Sequence, residues 1–118
     1  MLTGYGSKAF VSGADINELA ALKTPQQATG HALSWQQVAN AVENFGQPVG
    51  CAYNGLAFGG GNELAMACHA RVARKGLALL FAQPEVRLGI IPGMGGTQRL
   101  PRIVGLVDAW GPLRTGAP

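Results

Sequence analysis

Three consecutive glycines, Gly59, Gly60 and Gly61, stand directly before a run that favours a buried helix. That run, residues 62–69, is apolar on nearly every side, which is typical of a helix enclosed by other elements. Glycine adopts positive φ and lets another group approach the backbone closely. The first N–H groups of a helix lack partners within it, and the helix dipole favours negative charge there. The junction therefore predicts either a plain glycine turn or a main-chain site for developing negative charge.

Two other glycine-based sites are weaker interpretations of the same residues. A P-loop places a Lys-Ser/Thr pair after its glycines, and the sequence has none at this position. A dinucleotide-binding domain needs G-x-G-x-x-G after a strand with an acidic residue downstream, and that pattern is absent too. Neither a phosphate cradle nor a dinucleotide site is predicted.

Two glutamates are candidates for proton transfer. Glu63 lies in the first turn of the apolar helix, where burying a carboxylate is costly unless the group is partnered or functional. It could also simply complement the helix dipole. Glu85 lies between an extended run and a Gly/Pro loop, and alone it could be a loop carboxylate neutralised by Arg87. Two carboxylates in one apolar pocket have their pKa values pushed apart, which suits one acid and one base.

Short apolar runs alternate with helical segments, which predicts an α/β layer architecture in one domain over residues 1–118. Extended segments are expected at residues 1–4, 8–12, 48–53, 70–73 and 77–82, the last two being apolar and the strand at 70–73 buried. Helices are expected at residues 16–23, 25–45, 62–69, 97–104 and 107–114. Residues 56–61 are expected to be irregular because of their glycines. Asp15 with Glu18, Thr24 and Thr97 are the expected helix caps, and Pro101 fits only near a first turn.

Composition and charge exclude several classes of function. Hydrophobic residues make up 47% and charged residues 13%, which argues against disorder. The net charge is +3 without a basic block interleaved with aromatics, so nucleic acid is not an expected partner. The mild positive balance suits an anionic ligand or an ordinary basic surface equally well. No apolar run approaches the ~20 residues of a membrane span, so no membrane partner is expected.

The cysteines predict neither a metal site nor a disulfide framework. Cys51 and Cys68 lack the C-x-x-C spacing and the paired histidine of a zinc site. No charged segment followed by an apolar stretch opens the chain in the manner of a signal peptide. Buried thiols in a reducing compartment, such as the cytoplasm, are the expectation.

Three ordered motifs together resemble the crotonase (enoyl-CoA hydratase/isomerase) family. They are KAFVSGADINEL at residues 8–19, AYNGLAFGGGNELAMACHARVA at residues 52–73, and FAQPEVRLGIIPGMGGTQRLPRIVG at residues 81–105. The resemblance implies a crotonase-like fold, a spiral of ββα-type units, incomplete at both ends in this chain. It also implies that the full-length protein forms a homo-oligomer, a trimer or dimer of trimers. His69 stands where the family often has an acidic residue, and we expect its role to be structural.

The resemblance assigns roles to individual residues. By motif match, the N–H groups of Ala14 and Gly60 form an oxyanion hole for a thioester, and Glu63 and Glu85 are the catalytic pair. A further group is implied to bind coenzyme A or substrate: Ala9, Phe10, Gly13, Asp15, Ile16 and Gly59. Coenzyme A enters as part of an acyl-CoA substrate, so no permanently bound cofactor is implied.

The implied activity is hydration of 2-enoyl-CoA thioesters to 3-hydroxyacyl-CoA, as in fatty-acid β-oxidation. Glu63 would position and deprotonate the water, and Glu85 would deliver a proton to Cα. Two alternatives stay open. One is a double-bond isomerase, which generally needs only the later carboxylate. The other is a non-catalytic fragment that binds acyl-CoA or partner subunits.

Overall fold

A computed structural model describes residues 1–78 and 81–118. Leu79 and Leu80, part of the extended run expected at residues 77–82, lie outside the described residues. The strands are β1 (Leu2–Thr3), β2 (Ala9–Val11), β3 (Gly50–Tyr53), β4 (Leu56–Phe58), β5 (Ala70–Ala73) and β6 (Phe81–Ala82). The helices are α1 (Ile16–Ala21), α2 (Pro25–Glu43), α3 (Gly60–Ala67), α4 (Gly96–Val104) and α5 (Leu106–Thr115), with a 3-10 helix at Pro84–Leu88.

The strands form two parallel sheets, which confirms the predicted α/β class. One sheet has the order β1-β3-β5 and the other β2-β4-β6. In the first sheet Cys51 pairs with Leu2 on one side and Arg71 on the other. Parallel neighbours require crossover connections, and helices provide most of them here.

The core lies where α3 meets both sheets. Phe10 of β2 packs edge-on against Tyr53 of β3, with ring centroids 5.5 Å apart. The same buried cluster contains Cys51, Ala57, Ala65 and Cys68. This packing explains why α3 must be apolar nearly all round, as its sequence predicts.

Helix α3 begins at Gly60, two residues before the predicted start at residue 62. A side chain on Gly61 would collide with the carbonyl oxygen of Val11, so glycine lets α3 sit directly on β2. His69, just past this helix, accepts the Val49 N–H at Nδ1 over 2.9 Å, which fits the structural role expected of it.

Two expectations about strands are wrong. Residues 56–58 form a strand rather than an irregular segment, because they pair on both sides with parallel neighbours. Strand β5 exists as predicted but is mostly exposed rather than buried. Among the described strands it lies at the edge of its sheet and pairs with β3 on one side.

The expectations for α4 are also partly wrong. Thr97 does not cap it, because the helix begins one residue earlier and Gly95 occupies the cap position in a left-handed conformation with φ +107°. Pro101 lies in the helix interior rather than in its first turn. Its ring removes one main-chain hydrogen bond, and its own carbonyl still accepts the N–H of Gly105 at 3.0 Å.

Helix α2 has the N-terminal cap that its sequence predicts. The Thr24 hydroxyl accepts the Gln27 N–H at 3.2 Å, and the Gln27 side chain accepts the Thr24 N–H at 3.2 Å. We expect Thr24→Ala to lower the free energy of unfolding by about 1 kcal/mol, measured by urea denaturation. Thr97→Ala is the matched control and should change stability little, because Thr97 caps no helix. Equal losses in the two variants would contradict this assignment.

Within the described part of the chain, no helix combines the length and the apolar character needed to cross a bilayer.

Candidate active site

A single large cleft of about 1520 Å³ brings together segments that are distant in sequence. All four residues with a predicted catalytic or oxyanion role line it: Ala14, Gly60, Glu63 and Glu85. Four of the residues predicted to bind coenzyme A or substrate line it as well: Gly13, Asp15, Ile16 and Gly59. The sequence motifs therefore identify residues that share one cavity.

Ala9 and Phe10, the other two predicted binding residues, do not line this cleft. Ala9 pairs with Leu56 between β2 and β4. The Phe10 side chain is buried in the core against Tyr53. Their predicted role in binding coenzyme A or substrate stays a prediction.

The two predicted oxyanion donors lie on adjoining main-chain segments. A methyl group on Gly60 would lie 3.9 Å from the Ala14 nitrogen, and one on Gly13 would lie 3.9 Å from the Gly60 nitrogen. Within residues 1–78 and 81–118, neither the Ala14 N–H nor the Gly60 N–H donates a hydrogen bond to another residue. Gly60 is also the first residue of α3, whose N-terminus favours negative charge.

Asp15 is occupied by its own helix. Its carboxylate accepts the Asn17 N–H at 2.8 Å and so caps α1. Glu18, its expected capping-box partner, lies 3.7 Å from the His31 ring instead, which links α1 to α2. The Asp15 side chain therefore holds the start of α1 directly after Ala14.

Glu63 is 2% exposed, and one of its two carboxylate oxygens is held by main-chain hydrogen bonds. Its Oε1 accepts the Met94 N–H at 2.9 Å and the Gly96 N–H at 2.6 Å. Burial raises the pKa of this carboxyl, opposed by the main-chain donors of residues 94–96 and by the positive charge of Arg99. Its Oε2 makes no hydrogen bond with a described residue and remains for a ligand in the cleft.

The backbone of Gly96 lies close to two buried side chains. A side chain there would approach Glu63 Oε1 to 3.0 Å and Gln83 Oε1 to 2.9 Å. A larger residue there would require Gln83 or Glu63 to move. The Gly/Pro loop that follows Glu85 in the sequence therefore holds Glu63, through the main chain of the turn at residues 93–96.

Glu85 lies in the 3-10 helix and is 8% exposed. Its carboxyl sits against the glycine junction, because a methyl group on Gly59 would come within 2.7 Å of Glu85 Oε1. Burial, helped by the charge of Glu63, raises the pKa of Glu85 to about 7. Its Oε2 has no hydrogen-bond partner among the described residues.

Arg87 does not neutralise Glu85, contrary to the simpler interpretation of that segment. The Arg87 guanidinium donates from Nε to the Thr115 carbonyl at 3.0 Å and ties the 3-10 helix to the end of α5. Glu85 therefore forms no ion pair in the part of the chain that is described.

Two residues that the sequence did not single out belong to this region. Gln83 is 1% exposed, and neither of its amide atoms has a partner among residues 1–78 and 81–118. The Arg99 side chain extends from α4 and donates hydrogen bonds to the Met94 carbonyl, in the loop that holds Glu63, and to the Glu43 carboxylate of α2. The position of Gln83 two residues before Glu85 was the available sequence signal that Gln83 lies near the site. Nothing in the local sequence pattern indicated the contacts of Arg99.

The cleft thus holds two acids in unlike surroundings. Burial raises the pKa of both carboxyls, but main-chain donors of residues 94–96 and the charge of Arg99 oppose the rise at Glu63. Glu85 accepts no main-chain N–H from another described residue, and its pKa is about 7. The N–H groups of Ala14 and Gly60, which donate to no described residue, line the same cleft. Such a site can polarise a carbonyl while moving one proton away and another in.

Comparisons with known proteins agree with the motifs. The model of the enoyl-CoA hydratase/isomerase family matches residues 1–117. The fatty acid oxidation complex subunit alpha of Shewanella frigidimarina is 46% identical over 108 residues, covering 92% of this chain and 15% of that protein. The chain therefore spans about a seventh of this curated relative.

Solved structures agree in fold. The enoyl-CoA hydratase of Bacillus anthracis superposes with a TM-score of 0.86 at 42% identity, covering 97% of this chain and 43% of that one. The enoyl-CoA hydratase of Thermoplasma volcanium gives a TM-score of 0.88 at 37% identity, covering 97% and 44%. These superpositions confirm the crotonase-like fold expected from the sequence.

Proposed function

The chain belongs to the enoyl-CoA hydratase/isomerase family, and on that premise we propose that it carries the active site for hydration of 2-enoyl-CoA thioesters to 3-hydroxyacyl-CoA. The observation that carries the proposal is the pair of buried glutamates in one cleft, only one of which is held by main-chain donors from other residues. A relative that is named for fatty acid oxidation supports the same class of chemistry.

The thioester oxygen would accept the N–H groups of Ala14 and Gly60. Both donors line the cleft and lie on adjoining segments, which supports their joint use. Polarising the carbonyl makes Cβ electrophilic and stabilises the enolate that forms when water adds. Removing one donor of such a pair typically costs about 2.7–4 kcal/mol of transition-state stabilisation.

Glu63 would act as the base. Two N–H groups fix Oε1 and favour the carboxylate, while Oε2 is left to accept a hydrogen bond from the attacking water. The water oxygen bonds to Cβ as one of its protons moves to Glu63. The electron pair of the Cα–Cβ double bond moves toward the thioester and forms the enolate.

Glu85 would act as the acid. No cation among the described residues pairs with it, and its pKa is about 7, so a substantial fraction carries a proton at neutral pH. That proton goes to Cα as the enolate collapses, so the net reaction adds one water across the double bond. Exchange of protons with solvent then returns both glutamates to their starting states.

Coenzyme A arrives with the substrate in this proposal, so no other cofactor is required. Assembly of the full-length protein into trimers and residence in a reducing compartment stay predictions.

The direct test is incubation of the purified chain with crotonyl-CoA. We expect loss of the conjugated-thioester absorbance and formation of 3-hydroxybutyryl-CoA, identified by mass spectrometry. Binding of crotonyl-CoA by calorimetry without any turnover would overturn hydration and favour the non-catalytic alternative.

Isomerisation is the rival activity that one observation favours. A single buried acid with a pKa near 7, such as Glu85, is sufficient to move a proton between carbons. Supplying 3-enoyl-CoA separates the two activities. Conversion to 2-enoyl-CoA with no hydration of crotonyl-CoA would reject the hydratase assignment.

A further inference from the structure

We propose that Arg99 is a positioning residue for Glu63. It acts through the turn at residues 93–96, which holds the Glu63 carboxylate, and it is anchored to one polar face of helix α2. This inference deepens the proposed function and rests on it for the role of Glu63. It assigns a purpose to an arginine and to three residues of α2 that the sequence motifs leave unexplained.

The first step is the dependence of Glu63 on a turn. The N–H groups of Met94 and Gly96 reach Glu63 Oε1 at 2.9 Å and 2.6 Å. These are the only side-chain-to-main-chain bonds that fix this carboxylate within the described residues. The direction of the Glu63 carboxyl therefore depends on the direction of the turn.

The second step is what fixes the turn. Arg99 Nη1 donates to the Met94 carbonyl at 3.1 Å, on the peptide group next to the one that bonds Glu63 through its N–H. The Gln36 amide donates to the Gly93 carbonyl at 2.8 Å. Gly95 is glycine at φ +107°, and a side chain there would collide with Arg99 Nη1. The turn is thus shaped to receive the guanidinium.

The third step is the anchor of Arg99 itself. Its Nη2 donates to Asn40 Oδ1 at 2.8 Å and to Glu43 Oε2 at 2.6 Å. Together with Gln36, these residues occur at spacings of four and three along α2, which places them on one face of the helix. A planar guanidinium can bond the turn and the helix at once, whereas a lysine ammonium offers only a compact point charge.

The same arginine also acts on Glu63 by its charge. The charged groups that influence the two carboxyls are Arg99, which favours ionised Glu63, and Glu63, which raises the pKa of Glu85. Loss of Arg99 should therefore disorder the turn and disfavour the Glu63 carboxylate together. Both effects reduce its competence as a base.

The kinetic experiment compares Arg99→Met with Arg114→Met on crotonyl-CoA hydration. Arg114 is an exposed arginine in the last turn of α5 and is not among the residues that line the cleft. A misplacement of about 1 Å in a catalytic group can cost roughly 10²-fold. We expect Arg99→Met to lower kcat by about that factor with KM little changed, and Arg114→Met to leave kcat unchanged. A raised KM with normal kcat in Arg99→Met would identify a substrate contact instead and overturn the proposal.

Two milder variants guard against simple misfolding. Arg99→Lys keeps the charge but cannot bridge the turn and α2, so we expect it to stay close to Arg99→Met in kcat. Glu43→Gln removes only a partly exposed ion-pair partner, and we expect a loss of up to about fivefold in kcat with unchanged thermal stability. Full activity in Arg99→Lys would show that charge alone suffices and would reject positioning.

A readout that needs no turnover separates this inference from the proposed function. Titration of the Glu63 carboxyl by carbon-13 NMR, assigned with Glu63→Gln, should give a higher pKa in Arg99→Met than in the wild-type chain, and no change in Arg114→Met. If the wild-type chain hydrates nothing but this shift is found, the proposed function fails and the positioning role stands. If hydration is found and Arg99→Met changes neither kcat nor the titration, the positioning role fails.

Discussion

Replacing Glu63 by glutamine is expected to lower kcat for enoyl-CoA hydration by about 10²–10⁴-fold, the contribution of a positioned base. The substituted amide oxygen can still accept the N–H groups of Met94 and Gly96, so the turn and the fold should be preserved. What is lost is the carboxylate that takes a proton from water. The polarised thioester accounts for the activity that remains.

The measurement is steady-state hydration of crotonyl-CoA, with Asp108→Asn as the matched control. Asp108 is an exposed acid on α5 that is not among the residues lining the cleft, and its substitution should leave kcat unchanged. Isomerisation of 3-enoyl-CoA, measured in the same variants, adds a second discrimination, because it should not need Glu63. Wild-type hydration by Glu63→Gln would remove the base from the mechanism.

The glycine junction could be predicted because its physics is local. Gly59 at φ +50°, the uncapped start of a helix and the first-turn position of Glu63 all follow from neighbouring residues. The burial of Glu63 also follows locally, since its helix is apolar nearly all round. These features needed no knowledge of the tertiary structure.

The partners of Glu63 could not be predicted, because they come from the other side of the fold. Met94 and Gly96 follow it by 31 and 33 residues and contribute only main-chain N–H groups, which any residue type has. The contacts of Arg99 could not be predicted for the same reason, since its partners Asn40 and Glu43 precede it by 59 and 56 residues. No spacing rule connects such residues.

Sheet neighbours explain the errors in the strands. The glycines after Phe58 suggested an irregular segment, but parallel pairing with β2 and β6 decides the conformation of Leu56–Phe58. The apolar composition of Ala70–Ala73 suggested burial, but its place at a sheet edge leaves it exposed. Local preference gives way to tertiary context in both cases.

The environment of Glu85 makes its protonation sensitive to pH near neutrality. Its pKa of about 7 means that its protonated form, the one able to donate to Cα, declines as pH rises through neutrality. We therefore expect kcat of the wild-type chain to fall as pH rises above about 7. Removing the charge of Glu63 should lower the pKa of Glu85, because that charge contributes to raising it.

Glu85→Gln is expected to lower kcat by about 10²–10⁴-fold and to abolish this alkaline decline, because the amide carries no proton that it can deliver to Cα. Glu85→Asp is the complementary variant. Because it keeps an acid on a shorter side chain, it should recover part of the kcat lost in Glu85→Gln and restore the decline of kcat as pH rises. Both are measured as kcat against pH with crotonyl-CoA. An alkaline decline that persists in Glu85→Gln would show that another group sets it.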